Sequence, residues 1–499
     1  MRQLSGSDAF FLYSDKPGRH QHLSTIYLYD PSSAPGGVVD FRTILDHVRE
    51  RIGTSRIFRQ RLVEVPLNVD YPYWIYDDHF DLEFHVRHIA LPEPGDWRQF
   101  CILASRLHAR PVDMHRPVWE MYVIDGLDNV SWLPEGAFAV LVKVHHVALD
   151  DVTEDDFTIA LHDLEAVPEA PETMRRWFSE KEPGAMQLLA LAWFNNTIKL
   201  IETGQSLFDR IPGIGANPLN PDDALHFDQE SAPKTRFDDR VSPHRVLAPF
   251  TVDLSALQGI RAALADATLN DMIFAICSGA LRRYLFDKNE LPDRSLYALV
   301  PLHVHDRDDE GVPGHRVQLI RIRLMTHVDD PLERLAMIRE EMQEARALKP
   351  ISARELAEMQ DVLPSAAMTL AARSISAEFG PGKRYRDNHN TVISIHPGPS
   401  RPLYLCGARL VGYTSMGALM DNLGLNHTAT IYDGKVTIAP VCDRRMMPDP
   451  AFYYECLRAS LESLSSAAGD AVARARSKPR YAVARKRAVS STAATVLSE

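Results

Sequence analysis

Strand-like and helix-like segments alternate twice along this chain, once from residue 1 to about 165 and again from about Val246 to Ala467. Such alternation places helices on sheets, so each half predicts an α/β layered domain. At 499 residues the chain also exceeds one ordinary core, and two domains of about 150 to 250 residues each are expected. The expected bounds are 1–166 and 246–467.

The stretch between them, 167–245, is irregular. Pro168-Glu-Ala-Pro-Glu-Thr and the Pro-, Asn- and Asp-rich segment from Ile211 to Lys234 flank one helix, from about Ala185 to Phe208. Compact connections are usually shorter, which suits a crossover or a lid. The final segment, 468–499, is basic from Asp470 onward with few apolar anchors and is expected to be disordered. It reads either as a solvated appendage or as an attraction to an anionic lipid surface, about 1 kcal/mol per basic residue.

A net charge of −12 argues against nucleic acid as a partner. Cys101, Cys277, Cys406, Cys442 and Cys456 are scattered, without a C-x-x-C pair, and read as reduced thiols in a cytoplasmic protein. Met1-Arg-Gln-Leu-Ser-Gly-Ser-Asp8 lacks the apolar run of a signal peptide. The longest apolar stretch, Met186 to Phe194, is far short of the roughly 20 residues a spanning helix needs. That stretch reads first as a buried helix; lipid contact at the inner membrane face or a droplet, through it or through the basic tail, would be peripheral.

The chemistry concentrates in Val140-Leu-Val-Lys-Val-His145-His146-Val-Ala-Leu-Asp150. As a strand it places Leu141, Lys143 and His145 on one face and Val140, Val142, Val144 and His146 on the other. Thr153 and Asp156 resemble a helix cap, so the histidines and Asp150 lie in a strand-to-helix connection. A histidine at the end of a buried strand, with a carboxylate able to fold back beneath it, suits a general base. A plain strand end, with one histidine exposed and the other hydrogen-bonded, is the structural alternative. Adjacent histidines point to opposite faces, so His145, His146 and Asp150 would need a bend to share an ion, and no metal is expected. No G-x-S-x-G elbow is present.

The motif has company in order along the chain: Leu4-Ser-Gly-Ser-Asp8-Ala-Phe-Phe-Leu, Phe58-Arg-Gln-Arg61-Leu, Arg116-Pro117-Val-Trp119-Glu120, Ala267-Thr-Leu-Asn270-Asp271, Ala298-Leu-Val-Pro301, Pro397-Gly398-Pro399, Pro402 to Leu410 and Gly424-Leu-Asn426. With these the chain resembles the bacterial wax ester synthase/acyl-CoA:diacylglycerol acyltransferase family, within the acyltransferases bearing H-H-x-x-x-D-G. The resemblance implies two chloramphenicol-acetyltransferase-like domains joined by a crossover linker, with the active site in a channel between them.

It also implies transfer of a fatty acyl group from acyl-CoA, a substrate and not a cofactor, to diacylglycerol or a long-chain alcohol. His146 would be the base, with His145 beside it, and Asp150 a structural partner of an arginine, Arg61 being the candidate. Asn270 would be a site residue, with Asp271 beside it; by simple propensity its position also suits a helix N-cap. Pro117 and Trp119 would shape the acyl channel or its packing. The chain departs from the family pattern at Asp151, where the family has glycine, and at Ile395 and His315. A diverged paralogue that binds acyl chains or lipid surfaces with little turnover, and a condensation-type enzyme fed by a carrier protein, are the alternatives.

Overall fold

The structure, a computed structural model, describes residues 1–53, 55–149, 158, 160–167, 181–210, 231–261, 263–264, 266–303, 317–347, 389–399 and 401–477. The first half supplies β1 (Arg2–Gln3), β2 (His22–Asp30), β3 (Gln60–Val63), β4 (Tyr73–Tyr76), β5 (Val86–Ala90), β6 (Trp119–Asp125) and β7 (Phe138–His145). The second supplies β8 (Arg245–Leu247), β9 (Phe250–Asp253), β10 (Tyr297–His303), β11 (Val317–Arg323), β12 (Thr391–Pro397), β13 (Tyr404–Leu405), β14 (Ala408–Met416), β15 (Leu425–Tyr432) and β16 (Lys435–Asp443).

Among the described residues these strands form a small sheet ordered β1-β4-β3 and two large ones. One runs β13-β14-β2-β7-β6-β5; the other runs β11-β10-β12-β15-β16-β8, with β9 also on β16. β5–β6, β10–β12 and β12–β15 are parallel pairs, so both large sheets are mixed. The sheets do not divide where the sequence bounds fall. β13 and β14 belong to the second half, yet β14 pairs antiparallel with β2 from Arg409 opposite Asp30 to Met416 opposite Ser24. That pairing occupies the free edge of β2, which would otherwise leave its backbone groups open.

β7 lies in the middle of its sheet and is buried along its whole length. Its alternation appears directly in the packing: Val140, Val142 and Val144 join one apolar cluster, and Ala139 and Leu141 join the other. Both faces are covered, which is why the segment reads as a nearly continuous apolar run. Lys143 is the exception. It is fully buried, its Nζ lies 2.7 Å from Glu120 Oε2, and it donates to the carbonyls of Leu107 and Arg110 at 3.1 Å each.

In the second sheet's core, helix Leu269–Asp287 is buried over most of its surface. Thr268 caps it, and Asp271 closes a capping box by accepting from the Thr268 N–H at 2.8 Å. The closing helix runs from Pro450 to Ser477, past Asp470 where the composition predicts disorder. Its alanines favour helix, and Leu464 and Ala468 are buried against the core. Residues 478–499 lie outside the described residues.

Helix Ala185–Arg210 docks Leu188 and Ala192 against Val63, Tyr73 and Ile75 of the small sheet and Val65 just past β3. Its other side leaves Met186, Trp193 and Phe194 exposed, at 80, 73 and 57%. The helix is therefore buried on one side only. Among the described residues, no helix is long and apolar enough to cross a membrane.

Candidate active site

The chain turns sharply where β7 ends. His145 is the last strand residue, opposite His22 of β2, and His146 opens a short 3-10 turn through Ala148. His146 thus leaves the strand and does not continue its apolar face, as simple alternation would have it. The turn is fastened by backbone: the His145 N–H donates to Val118 O at 3.0 Å, the His146 N–H to Gln21 O at 2.8 Å, and the Leu149 N–H to His146 O at 3.0 Å.

The two rings have different surroundings. His145 is fully buried, its Nδ1 accepts from the Val147 N–H at 3.1 Å, and its Nε2 lies 3.1 Å from Asp15 Oδ2. An amide N–H can only donate, so Nδ1 carries the lone pair and Nε2 carries the proton given to Asp15. Both nitrogens are committed. The His146 ring is half-buried and stacks on Phe11, with centroids 4.9 Å apart and planes 16° from parallel. It makes no hydrogen bond among the described residues. Burial foremost, and then the neighbouring His145, lowers its pKa to about 4, so the imidazole is neutral at ordinary pH.

Asp15 ends helix Gly6–Ser14, whose last turn carries Phe11. Its carboxylate meets three groups: His145 Nε2, His20 Nδ1 at 2.8 Å and the Gln21 N–H at 3.0 Å. Burial alone would raise its pKa, but these hydrogen bonds outweigh it and hold the carboxyl well below the usual range. His20 stacks on His22 at 5.1 Å, and His22 Nε2 lies 3.0 Å from Arg110 O. His108 lies on the same side, its Nδ1 2.8 Å from Ser24 Oγ. Burial lowers the pKa of both His22 and His108, the latter to about 3.

Donor atoms of Asp15, His22 and His145 lie within 4.8 Å of one another, the spacing of a possible cation site. The Val147 amide decides against that use of His145. It fixes the tautomer in which Nε2 is a donor, whereas a metal needs a lone pair there.

Of the other expected site residues, Pro117 and Trp119 flank Val118, whose carbonyl holds the turn. Asp150 and Asp151 lie outside the described residues. Arg61, the candidate partner of Asp150, has its Nε 3.5 Å from Asp77 and donates from Nη2 to Glu182 at 2.8 Å. Trp119 is core: its indole N–H donates to Phe58 O at 3.1 Å, and its ring stacks on His85 at 4.6 Å. Pro117 is buried beside it. Asn270 is not the N-cap, since Thr268 takes that place; it is the second helical residue and half-exposed. Asp271 serves the cap. Among the described residues, neither Asn270 nor Asp271 bonds to the histidine pair.

Sequence reasoning missed Asp15, Phe11, His20 and His22. The usable signal was His20-Gln-His22, two histidines sharing one face at the start of a strand pattern.

Comparison with known proteins gives this geometry a family. Residues 4–273 match the wax ester synthase/diacylglycerol acyltransferase catalytic domain, and residues 314–465 match the family's C-terminal domain. The probable diacylglycerol O-acyltransferase tgs2 of Mycobacterium tuberculosis is 30% identical over 94% of this chain and 100% of its own. O-acyltransferase WSD of Acinetobacter baylyi is 29% identical, over 90% of this chain and 93% of its own. The structure of the wax ester synthase/diacylglycerol acyltransferase from Marinobacter aquaeolei VT8 superposes with a TM-score of 0.67 at 26% identity, covering 94% of this chain and 100% of that one. The first condensation domain of the calcium-dependent antibiotic synthetase, at TM-score 0.52 and 13% identity over 94% of this chain and 97% of that one, shares the fold. The chain belongs to the wax ester synthase/diacylglycerol acyltransferase family.

Proposed function

We propose that this protein transfers a fatty acyl group from acyl-CoA to the hydroxyl of diacylglycerol, and of long-chain alcohols, with His146 as general base. The observation that carries the reading is the contrast at the end of β7. His145 has both nitrogens committed, while the His146 ring is neutral, half-buried and free of hydrogen bonds from the described residues.

His146 takes the proton of the acceptor hydroxyl as the oxygen attacks the thioester carbonyl. Collapse of the tetrahedral intermediate breaks the carbon–sulfur bond, and the protonated imidazole returns its proton to the departing CoA thiolate. The products are an ester and free CoA thiol, and no acyl-enzyme is required. A base of lowered pKa is a weak one, so the imidazolium must be stabilised more in the transition state than in the free enzyme.

Purified protein incubated with labelled palmitoyl-CoA and either diacylglycerol or hexadecanol tests the reading. His146→Ala should lower turnover by about 10²- to 10⁴-fold while leaving the fold intact. Ester formation undiminished by that change, or none by the wild type with either acceptor, overturns it.

We further propose peripheral contact with a lipid surface through the exposed side of helix Ala185–Arg210. Trp193 and Phe194 are the ring types that favour a membrane interface. Flotation with phosphatidylglycerol vesicles should lose Trp193→Asp and retain the wild type; equal flotation would count against it. All five cysteines are free thiols, which supports a reducing, cytoplasmic location.

A further inference from the structure

We propose that Asp15 is a positioning residue of the acyl transfer, which acts on His146 through His145 and is itself held in place by the second half of the chain. The inference rests on the reading of His146 as the base.

Local propensity does not explain Asp15. It stands at the C-terminal end of helix Gly6–Ser14, where the helix dipole disfavours a carboxylate. Its three donors, from His145, His20 and the Gln21 amide, account for it instead. Of these, the bond to His145 reaches furthest. A neutral imidazole without a fixed partner can carry its proton on either nitrogen. On Nδ1 that proton would face the Val147 N–H and remove the bond that starts the 3-10 turn after β7. Asp15 excludes that tautomer by accepting from Nε2. The turn then delivers His146 onto Phe11, and Phe11 lies on the helix that Asp15 ends. One carboxylate thereby ties the turn and the stacking ring into a single unit.

The loop behind Asp15 is clamped from the other half. Gly18, at φ +84°, lets the chain reverse between Lys16 and Arg19, and its carbonyl accepts from Arg245 Nη2 at 2.7 Å. Arg19 pairs with Asp421, whose other oxygen accepts from the Val241 N–H at 3.1 Å. The same loop ends at Gln21, whose carbonyl holds the His146 amide at 2.8 Å. Residues 241, 245 and 421 thus fasten the loop that sets the base.

The test is steady-state kinetics with palmitoyl-CoA on the full chain, with thermal melts to verify folding. Asp15→Asn should lower kcat by about 10- to 100-fold, with KM for palmitoyl-CoA changed by less than about twofold, as an effect on chemistry requires. Asp15→Glu, which keeps the charged acceptor, should recover most of the loss. In a His145→Gln background the same Asp15→Asn change should add nothing, because its route to His146 is already cut. Asp421→Ala should also lower kcat at unchanged KM, and it serves in place of Asp15→Asn if that variant does not fold. A folded Asp15→Asn protein with full kcat, or Asp15 and His145 effects that multiply independently, would overturn the inference while leaving His146 as base. Activity surviving His146→Ala would instead remove the reading on which it rests, and the inference with it.

Discussion

Phe11 and His146 lie face to face, ring centroids 4.9 Å apart and planes within 16° of parallel, although 135 residues separate them in sequence. The stack limits rotation of an imidazole that no hydrogen bond from the described residues restrains. Phe11→Ala should therefore leave binding nearly intact and lower kcat, by about 10- to 100-fold if the ring drifts by an ångström or so. Steady-state kinetics with palmitoyl-CoA check this, and a rise in KM at constant kcat would contradict it.

The pH profile follows from the burial of His146. With a pKa near 4 the ring is neutral from neutral pH down to mildly acidic pH, so the proposed base is present throughout. It is lost only as pH falls through about 4, not through the ordinary 6.5. Short initial-rate assays of kcat/KM from pH 7.5 to about 4.5 should show no acid limb near 6.5. A limb at that position would mean that the ring titrates as if exposed.

Fold stability should respond to acid earlier than activity does. His108, His162 and His427 are buried with pKa values lowered to about 3, 4 and 3, burial being the main cause in each. The unfolded chain, titrating near 6.5, binds protons first as pH falls. The stability these neutral rings confer is thus complete above 6.5 and lost as pH drops towards 3 to 4. Each group contributes up to about 1.4 kcal/mol per pH unit in that window. Thermal midpoints at pH 7 and pH 5 measure it, and an unchanged midpoint would contradict the assignment.

Lys143 and Glu120 form a buried pair one strand apart, extended by Tyr122, whose hydroxyl donates to Glu120 at 2.8 Å. Glu120→Ala leaves the buried ammonium with two carbonyl acceptors but without its paired carboxylate and should cost about 3 to 5 kcal/mol. Lys143→Met combined with Glu120→Gln should cost less than Glu120→Ala alone, because no charge is left unpaired. Urea denaturation of the two variants makes the comparison.

Gly398, between Pro397 and Pro399, is held by close approach and not by backbone conformation. A Cβ there would lie 2.4 Å from Ile431 O and 2.8 Å from Tyr413 Oη, where β14 and β15 meet. Gly398→Ala should destabilise the protein by about 1 to 3 kcal/mol, read as a lowered melting temperature. An unchanged melting temperature would show that β14 can move aside freely.

Much of this protein is legible locally. The alternation along β7 predicts which of Val140, Leu141, Val142 and Val144 face which core, because a strand's period is a property of the backbone. Helix Leu269–Asp287 is less legible at its start: propensity offers Asn270 as the cap, while the structure caps it with Thr268 and Asp271. The histidine pair points to acyl transfer through its motif, and the ordered company of motifs to the family.

What sequence could not supply depends on contacts between distant segments. Nothing local says that β14 crosses to pair with β2, because the edge it completes lies nearly four hundred residues away. Nothing local separates the roles of His145 and His146, which are chemically identical until Asp15 and the Val147 amide commit one ring and Phe11 stacks on the other. Local pattern sets the strand, the motif and the chemistry available to it. Tertiary structure decided which histidine stands free, because tautomer, burial and pKa are set by groups that only folding brings within hydrogen-bonding distance.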